Sequence, residues 1–353
     1  MSEDDIAKAE SLVARVGKDY ADSAMFAVAK GDSAMVARLL AEARDSTGPG
    51  LVFNAVWQIG EWLEQPAIAE PFARAGVVRA NAAPGDRSTR ANMWLAENLI
   101  AQGRWTAADS AMVRAQASGD GWPRLARGIT AALPFLAVPR PELEAIRADI
   151  AAWDPARDAT AATSARTSSE LLPSIRLYAL GLLASRLGEP EAAARAAAQL
   201  ETLPASDPLA GPARSLAATV RADMAVTGRR PAEAVTALAG VRGNVPLDLS
   251  GRSPFSEDFA RFLRGEALLA LGNDDEAMRW FENGFSGTQD ASTFRGQVLL
   301  RLGDIYERKG ERQKAIDAYA RFVRIWAGCD TRLRPSLEDA RARLARLTSE
   351  PRT

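Results

Sequence analysis

The sequence predicts an all-α fold assembled from short antiparallel helix pairs. Three observations carry that prediction. Alanine and leucine dominate the apolar residues, with arginine and glutamate interleaved, which is the mixture that packed helices use. Stretches rich in β-branched residues are few, so strands have little support. Glycines recur where one helical periodicity stops and the next begins, at Gly31, Gly103, Gly188, Gly272 and Gly310.

The elements follow in order. Residues 2–16 form a first helix, with Ser2 as its N-cap and Asp4 and Asp5 in the first turn, where the helix dipole favours acids. Its apolar stripe is Ile6, Ala9, Leu12, Val13 and Val16. Residues 19–30 and 33–43 pair across Gly31, and 46–50 are a loop. Residues 51–64 are strongly apolar, Pro66 opens the next segment, and 67–80 are helical, with Pro71 in the first turns. Residues 81–87, with Pro84-Gly85-Asp86, form a loop.

Residues 89–118 pair across Gly103, with Leu95, Leu99, Ala108, Met112 and Ala115 on facing sides. Two further helices span 123–137 and 141–153, and Pro141 suits a first helical position. Residues 154–169 have many Ala, Thr and Ser and no apolar periodicity, as a loop or linker does. Residues 174–203 pair across Gly188. Residues 214–241 pair across Gly228-Arg229-Arg230-Pro231, a turn that reads one residue longer than the others. After an irregular loop at 242–254, residues 257–285 pair across Gly272. Residues 334–347 carry Leu337, Ala340, Leu344 and Leu347 on one side and Arg341, Arg343 and Arg346 elsewhere, as a terminal cap requires. This segment count predicts about sixteen helices.

The most regular unit is 296–327. Leu302, Gly303 and Tyr306 share one face of its first helix, Gly310 closes that helix, and Ala315 and Tyr319 face it from the second. Small residues let the two helices approach, and large ones fill the space beside them. Gly310 lies 38 residues after Gly272 (310 − 272), the excess over the repeat length being a short loop at 287–290. These offsets resemble the tetratricopeptide repeat, a unit of about 34 residues. The likeness extends to 89–118, 174–241 and 257–285. The whole order is also similar to the helical C-terminal arrays of large bacterial regulators, in which a kinase or DNA-binding module precedes the repeats.

The resemblance implies a right-handed α-solenoid with a C-terminal capping helix. It also implies a non-catalytic scaffold or regulatory module that takes a protein or peptide partner in its concave groove. The groove positions it marks are Met93, Glu97, Tyr178, Phe259, Phe262, Glu266, Leu300 and Asp304. Glu97, Asp223, Glu266 and Asp304 would form an acidic strip there. The lysine and asparagine clamp with which such repeats hold a C-terminal carboxylate has no counterpart: the fifth positions are Met93, Tyr178, Phe262 and Leu300, all apolar. A second reading is a sensor domain that encloses a small ligand or peptide, with 123–153 and 154–169 as its closure. An enzyme is the weakest reading.

Composition bounds the chemistry. The chain has no histidine, so serine or cysteine nucleophiles that rely on an imidazole base are excluded, as are imidazole zinc sites. No cofactor or metal is expected. Gly48-Pro49-Gly50 lacks the Lys-Ser/Thr of a phosphate loop. A net charge of −1 argues against nucleic acid and anionic membranes as partners. The single Cys329 excludes an internal disulfide. No apolar run is long enough to span a membrane. The opening Met-Ser-Glu-Asp-Asp has no secretory signal, so a cytoplasmic protein is expected. Half of the tryptophans lie in apolar stripes. Trp122 and Trp153 flank loops and are the better contact candidates. The expected organisation is degenerate helical repeats at 1–153, a linker at 154–170, a repeat array at 171–327, and a capping helix and tail at 328–353.

Overall fold

The computed structural model describes residues 3–16, 19–45, 48–82, 86–117, 121–155, 170–204, 207, 209–239, 254–285 and 291–349. Among these residues the chain forms eighteen α-helices and no strand. Most of 154–170, most of 242–254, and Ser2 with its proposed cap lie outside the described residues. By internal contacts the chain forms two compact units, Met1–Ser118 and Gly119–Thr353.

The first unit holds α1 (Glu3–Val16), α2 (Tyr20–Lys30), α3 (Ser33–Asp45), α4 (Pro49–Trp57), α5 (Pro66–Asn81), α6 (Asp86–Ala101) and α7 (Trp105–Gln116). It is a stack of three antiparallel pairs, α2/α3, α4/α5 and α6/α7, behind α1. First helices pack on first helices: α4 touches both α2 and α6, while α3 touches α5. The apolar 51–64 segment does not end as an α-helix. Its last residues, Gln58–Trp62, wind into a π-helix, and Glu64 follows with a left-handed φ of 53°.

The second unit holds α8 (Gly121–Ala131), α9 (Arg140–Ala152), α10 (Leu172–Arg186), α11 (Pro190–Leu200), α12 (Ala210–Thr227), α13 (Pro231–Leu238), α14 (Asp258–Ala270), α15 (Asp274–Asn283), α16 (Ala291–Arg308), α17 (Arg312–Ile325) and α18 (Arg334–Ser349). Five pairs stack in order, the first helices α8, α10, α12, α14 and α16 forming one continuous layer, and α18 closes the stack against α17. Each pair buries its apolar face against its neighbours, which is how repeats that cannot fold alone become stable. The sequence places a boundary at 154–170. In the structure α8 and α9 both pack on α10, so they belong to this second stack. The expected helix over 123–137 also stops early: Ala131 ends it, and Pro134–Leu136 form one 3-10 turn leading to Ala137, whose φ is 49°.

Six of the turns share one geometry. At Gly188 the amide donates to the Ser185 carbonyl at 3.1 Å, and the next amide, of Glu189, reaches back to Ala184 at 2.9 Å. The same two bonds recur at Gly31, Gly103, Gly272 and Gly310, each glycine having φ between 68° and 75°. This is the Schellman ending, in which a left-handed residue lets two amides satisfy carbonyls orphaned at the helix C-terminus. The α12/α13 turn has the same bonds, from Arg229 to Val226 and from Arg230 to Ala225. It is therefore not one residue longer. Its left-handed position is simply occupied by Arg229, at φ 56°, and Gly228 stands one place before it.

Within pairs, a glycine on one helix receives a ring from the other. A Cβ on Gly303 would lie 2.5 Å from Tyr319, one on Gly265 would lie 2.4 Å from Phe281, and one on Gly296 would lie 2.2 Å from Trp326. Between helices the binding agent is arginine. Arg176 donates to the carbonyls of Ile150 and Ala151, Arg140 to Leu187, Arg264 to Leu238, Arg261 to Gly284 and Arg312 to Leu347. Each acceptor sits at or just past a helix C-terminus, where carbonyls lack intrahelical partners. A planar guanidinium with five donors can reach such a carbonyl and still face a second acceptor, which an ammonium does less well. That explains the composition, in which 39 of the 44 basic residues are arginine.

Candidate functional site

The face marked by sequence lies on first helices, α6 in the first unit and α10, α14 and α16 in the second. The structure places its apolar members in the packed interior. Met93, Tyr178, Phe259, Phe262 and Leu300 are all buried, Phe262 at 1% exposure. These residues hold the face together and do not present themselves to solvent. Glu97, Glu266 and Asp304 are half-buried.

Three of the four acids of the expected strip are neutralised. Glu266 takes a two-pronged ion pair from Arg301 of the next first helix, at 2.6 and 3.1 Å. Asp304 accepts the Tyr319 hydroxyl at 2.8 Å and Arg343 of the capping helix at 3.1 Å. Asp223 is fully buried, with Arg186 of the preceding first helix at 2.9 Å. Burial pushes the Asp223 carboxyl up from its ordinary value, against the opposing pull of Arg186. Each of these three acids is thus spent on a contact between neighbouring elements. Asp304 has Glu307 beside it, one helical turn on, with the Tyr319 hydroxyl and Arg343 in contact with both carboxylates.

What covers the apolar face was not legible in the sequence. Phe135, from the 3-10 turn between α8 and α9, meets Phe262 of α14 edge-on at 5.5 Å and Phe294 of α16 at 5.7 Å. Phe262 and Phe294 themselves lie 5.6 Å apart, and Phe259, Phe281 and Phe285 complete the cluster. A neighbour-only stack would not join the first pair of the unit to its fourth and fifth. The turn therefore reaches across the first-helix layer. The only sequence signal was Pro134-Phe135-Leu136 at a helix break.

Elsewhere, a small pocket of about 170 Å³ lies between α13, α14 and α15, lined by Leu238, Glu257, Ala260, Arg261, Arg264 and Trp280. Its cations are used structurally: Arg264 stacks 4.6 Å from the Trp280 ring centre and caps α13 through Leu238. The expected contact tryptophans behave differently from each other. Trp153 is buried, with its indole lying where a side chain on Gly121 would stand, and Trp122 is half-buried. The exposed tryptophan is Trp62, at 55%. Among the described residues no group of three or more His, Cys, Asp or Glu is placed to hold a metal ion. Among them, too, no helix is long and apolar enough to cross a membrane.

Residues 297–327 match the family described as tetratricopeptide repeat. No curated protein sequence matches the chain. Among solved structures, the chain is similar to a tetratricopeptide repeat protein from Parabacteroides merdae ATCC 43184, at 13% identity and a TM-score of 0.39, covering 85% of this chain and 99% of that one. It is also similar to the TPR domain of P58(IPK), at 14% identity and a TM-score of 0.29, covering 98% and 94%. The match falls on α16 and α17, the pair in which Gly303 receives Tyr319 and Gly310 makes the turn. Each unit is an all-α stack of helix pairs, and residues 297–327 of the second match the tetratricopeptide repeat.

Proposed function

We propose that the chain is a non-catalytic scaffold that binds a protein or peptide partner along the first-helix layer of its second unit. The observation that carries this reading is the match to the tetratricopeptide repeat at 297–327, set in a stack in which three of the other four pairs reuse its turn. Repeats of this kind offer a preformed surface, so little ordering entropy is lost on binding. The neutralised carboxylates support the non-catalytic part of the proposal. Tyr178, Phe259, Phe262 and Leu300 shape the layer from beneath, and Glu266 and Asp304, with Arg301 and Arg343, give it its polar pattern. In the first unit Met93 and Glu97 mark the corresponding face of α6. The regulatory and cytoplasmic setting belongs to the same proposal.

The test is cross-linking mass spectrometry of the full chain in extract from its native cells, beside a Glu266→Arg/Arg301→Glu double variant. The swap keeps an ion pair and reverses its field. Cross-links to one partner concentrated on α10, α12, α14 and α16, and lost in the swap at unchanged melting temperature, are expected. Cross-links confined to second helices, or capture untouched by the swap, would overturn the assignment of the face.

A further inference from the structure

The cavity of about 170 Å³ between α13, α14 and α15 carries both signs of charge beside an apolar wall. Glu257, Ala260, Arg261 and Arg264 stand at i, i+3, i+4 and i+7, so one stripe along the start of α14 supplies four of its six lining residues. Leu238 closes it from α13 and Trp280 from α15.

The charged groups there are incompletely matched. Among the described residues, Arg264 makes one hydrogen bond, to the Leu238 carbonyl, and otherwise lies against the Trp280 ring. One nitrogen of Arg261 donates to the Gly284 carbonyl at 3.0 Å and has Asp258 at 3.6 Å. A guanidinium has five donors in a fixed fork, so both side chains retain donors for a carboxylate. Burial lowers the Arg264 pKa from its ordinary value, against the opposing pull of Glu276 and Glu257. Among the described residues the Glu257 carboxylate has one hydrogen-bond partner, the Ser215 hydroxyl, at a long 3.4 Å. Glu257 also holds a left-handed φ of 61° and makes no side-chain cap bond to α14. Backbone of that kind is unfavourable for an L-residue and collects at binding sites.

Size and charge together select a ligand. An apolar cavity of about 150 Å³ admits benzene, whereas drug-sized molecules occupy clefts of about 300 Å³ or more. The cavity therefore suits one branched or ring-sized apolar group. We propose that it binds a free α-amino acid with a branched apolar side chain, of which leucine is the type. The side chain lies against Leu238, Ala260 and Trp280, the carboxylate meets Arg261 and Arg264, and the ammonium meets Glu257. A simple carboxylic acid would set its anion beside Glu257, and an amine would set its cation beside two guanidiniums. A peptide end offers one of the two charges. A free amino acid carries both on one carbon. This site goes beyond the scaffold reading and does not depend on it: leucine binding and partner capture can each fail while the other succeeds.

Isothermal titration of the full chain with L-leucine is the test, beside isocaproate and isoamylamine, the same skeleton without the ammonium and without the carboxylate. One leucine per chain, saturating in the millimolar range, is expected. Each analogue should bind at least ~10-fold more weakly, as loss of a charge-assisted hydrogen bond implies. Glu257→Gln should weaken leucine by at least ~10-fold and leave isocaproate as tight as before or tighter. Ala260→Leu fills the cavity with an isobutyl group of its own, and the folded variant should bind no leucine. Absence of saturable leucine binding overturns the proposal. So does an analogue that binds as tightly as leucine, since one charge of the site would then have no role. Leucine binding untouched by Glu257→Gln or by Ala260→Leu places the ligand elsewhere and overturns it equally.

Discussion

Gly303→Ala tests the packing rule of the repeat at one methyl group. The new Cβ would stand 2.5 Å from Tyr319 Cε1, 2.7 Å from Cδ1 and 2.9 Å from Cζ. Something must move, and the ring is poorly placed to do so. Tyr319 is fully buried, and its hydroxyl shares its single proton between Asp304 at 2.8 Å and Glu307 at 2.9 Å while accepting from Arg343 at 3.2 Å. Overpacking of this kind costs about 1–3 kcal/mol, and a rigid neighbour puts it at the upper end. Alanine in place of glycine in a helix returns about 1 kcal/mol. The net expectation is a loss of about 1–2 kcal/mol, a fall of about 2–8 °C in melting temperature for a stack this size. Urea and thermal melts followed by circular dichroism read it. Two controls sharpen the reasoning. Tyr319→Phe removes the tethers, so the Gly303→Ala penalty should shrink by at least about 0.5 kcal/mol in that background. Gly128→Ala meets mainly the terminal Cδ1 of Ile150, at 2.3 Å, and should cost less than Gly303→Ala because a side-chain end can rotate where a tethered ring cannot, and the helix gains about 1 kcal/mol. A Gly303→Ala protein as stable as wild type, or an undiminished penalty beside phenylalanine, refutes the argument.

Further outcomes follow from the same structure. Arg229→Gly should stabilise by about 0.5–1 kcal/mol, since the left-handed position costs an L-residue about 1–2 kcal/mol and glycine gives part of that back in the unfolded chain. A melting temperature that falls would show Arg229 is held there by something other than the turn. Phe262→Asp should abolish the cooperative melt of the second unit, because a charge would be buried among Phe135, Phe281 and Phe294; a folded variant that merely loses partner binding would put Phe262 back on the surface. Glu307 contributes in a pH-dependent way. Burial raises its pKa, but hydrogen bonds from Arg346 and Tyr319 and the charge of Arg343 outweigh that and leave it lowered. A lowered folded pKa means stability present above the ordinary carboxylate value, about 4.3, and lost as pH falls through the folded value. Once corrected for the intrinsic rate, hydrogen-exchange protection of α18, which carries Arg343 and Arg346, should therefore fall as the pH drops below the ordinary carboxylate value. In Glu307→Gln it should be low already at neutral pH. Equal protection of α18 in the two proteins at pH 7 would remove Glu307 from the latch.

The helix pairs were legible because their signals are local. An αL glycine, a helical apolar stripe and a small residue opposite a ring are each written within about twenty residues, and each depends on backbone sterics or on contact between adjacent helices. Gly303 and Tyr319 were read correctly from their spacing, and the capping face of 334–347 likewise buries Leu337, Ala340 and Leu347. Where a local signal was missing, the reading slipped. Arg229 hid a turn of ordinary length because no glycine marked its left-handed position. The π-helix at Gln58–Trp62 and the break after Ala131 leave no periodic trace, and the described residues alone hold eighteen helices where the periodicity predicts about sixteen.

The sequence by itself determined the all-α class, the pairing of consecutive helices, the turn positions and the terminal cap, since all of these are properties of near neighbours in the chain. Only the tertiary structure decided what the first-helix layer is. Whether Phe262 is groove or core, and whether Glu266 and Asp304 are free acids or halves of ion pairs, depends on Arg301, Arg343 and Phe135, which lie 35, 39 and 127 residues away (301 − 266, 343 − 304, 262 − 135). Pairings over such separations are set by how the stack curves and closes. That curvature is the sum of small rotations at every helix interface, and no single stretch of sequence carries it.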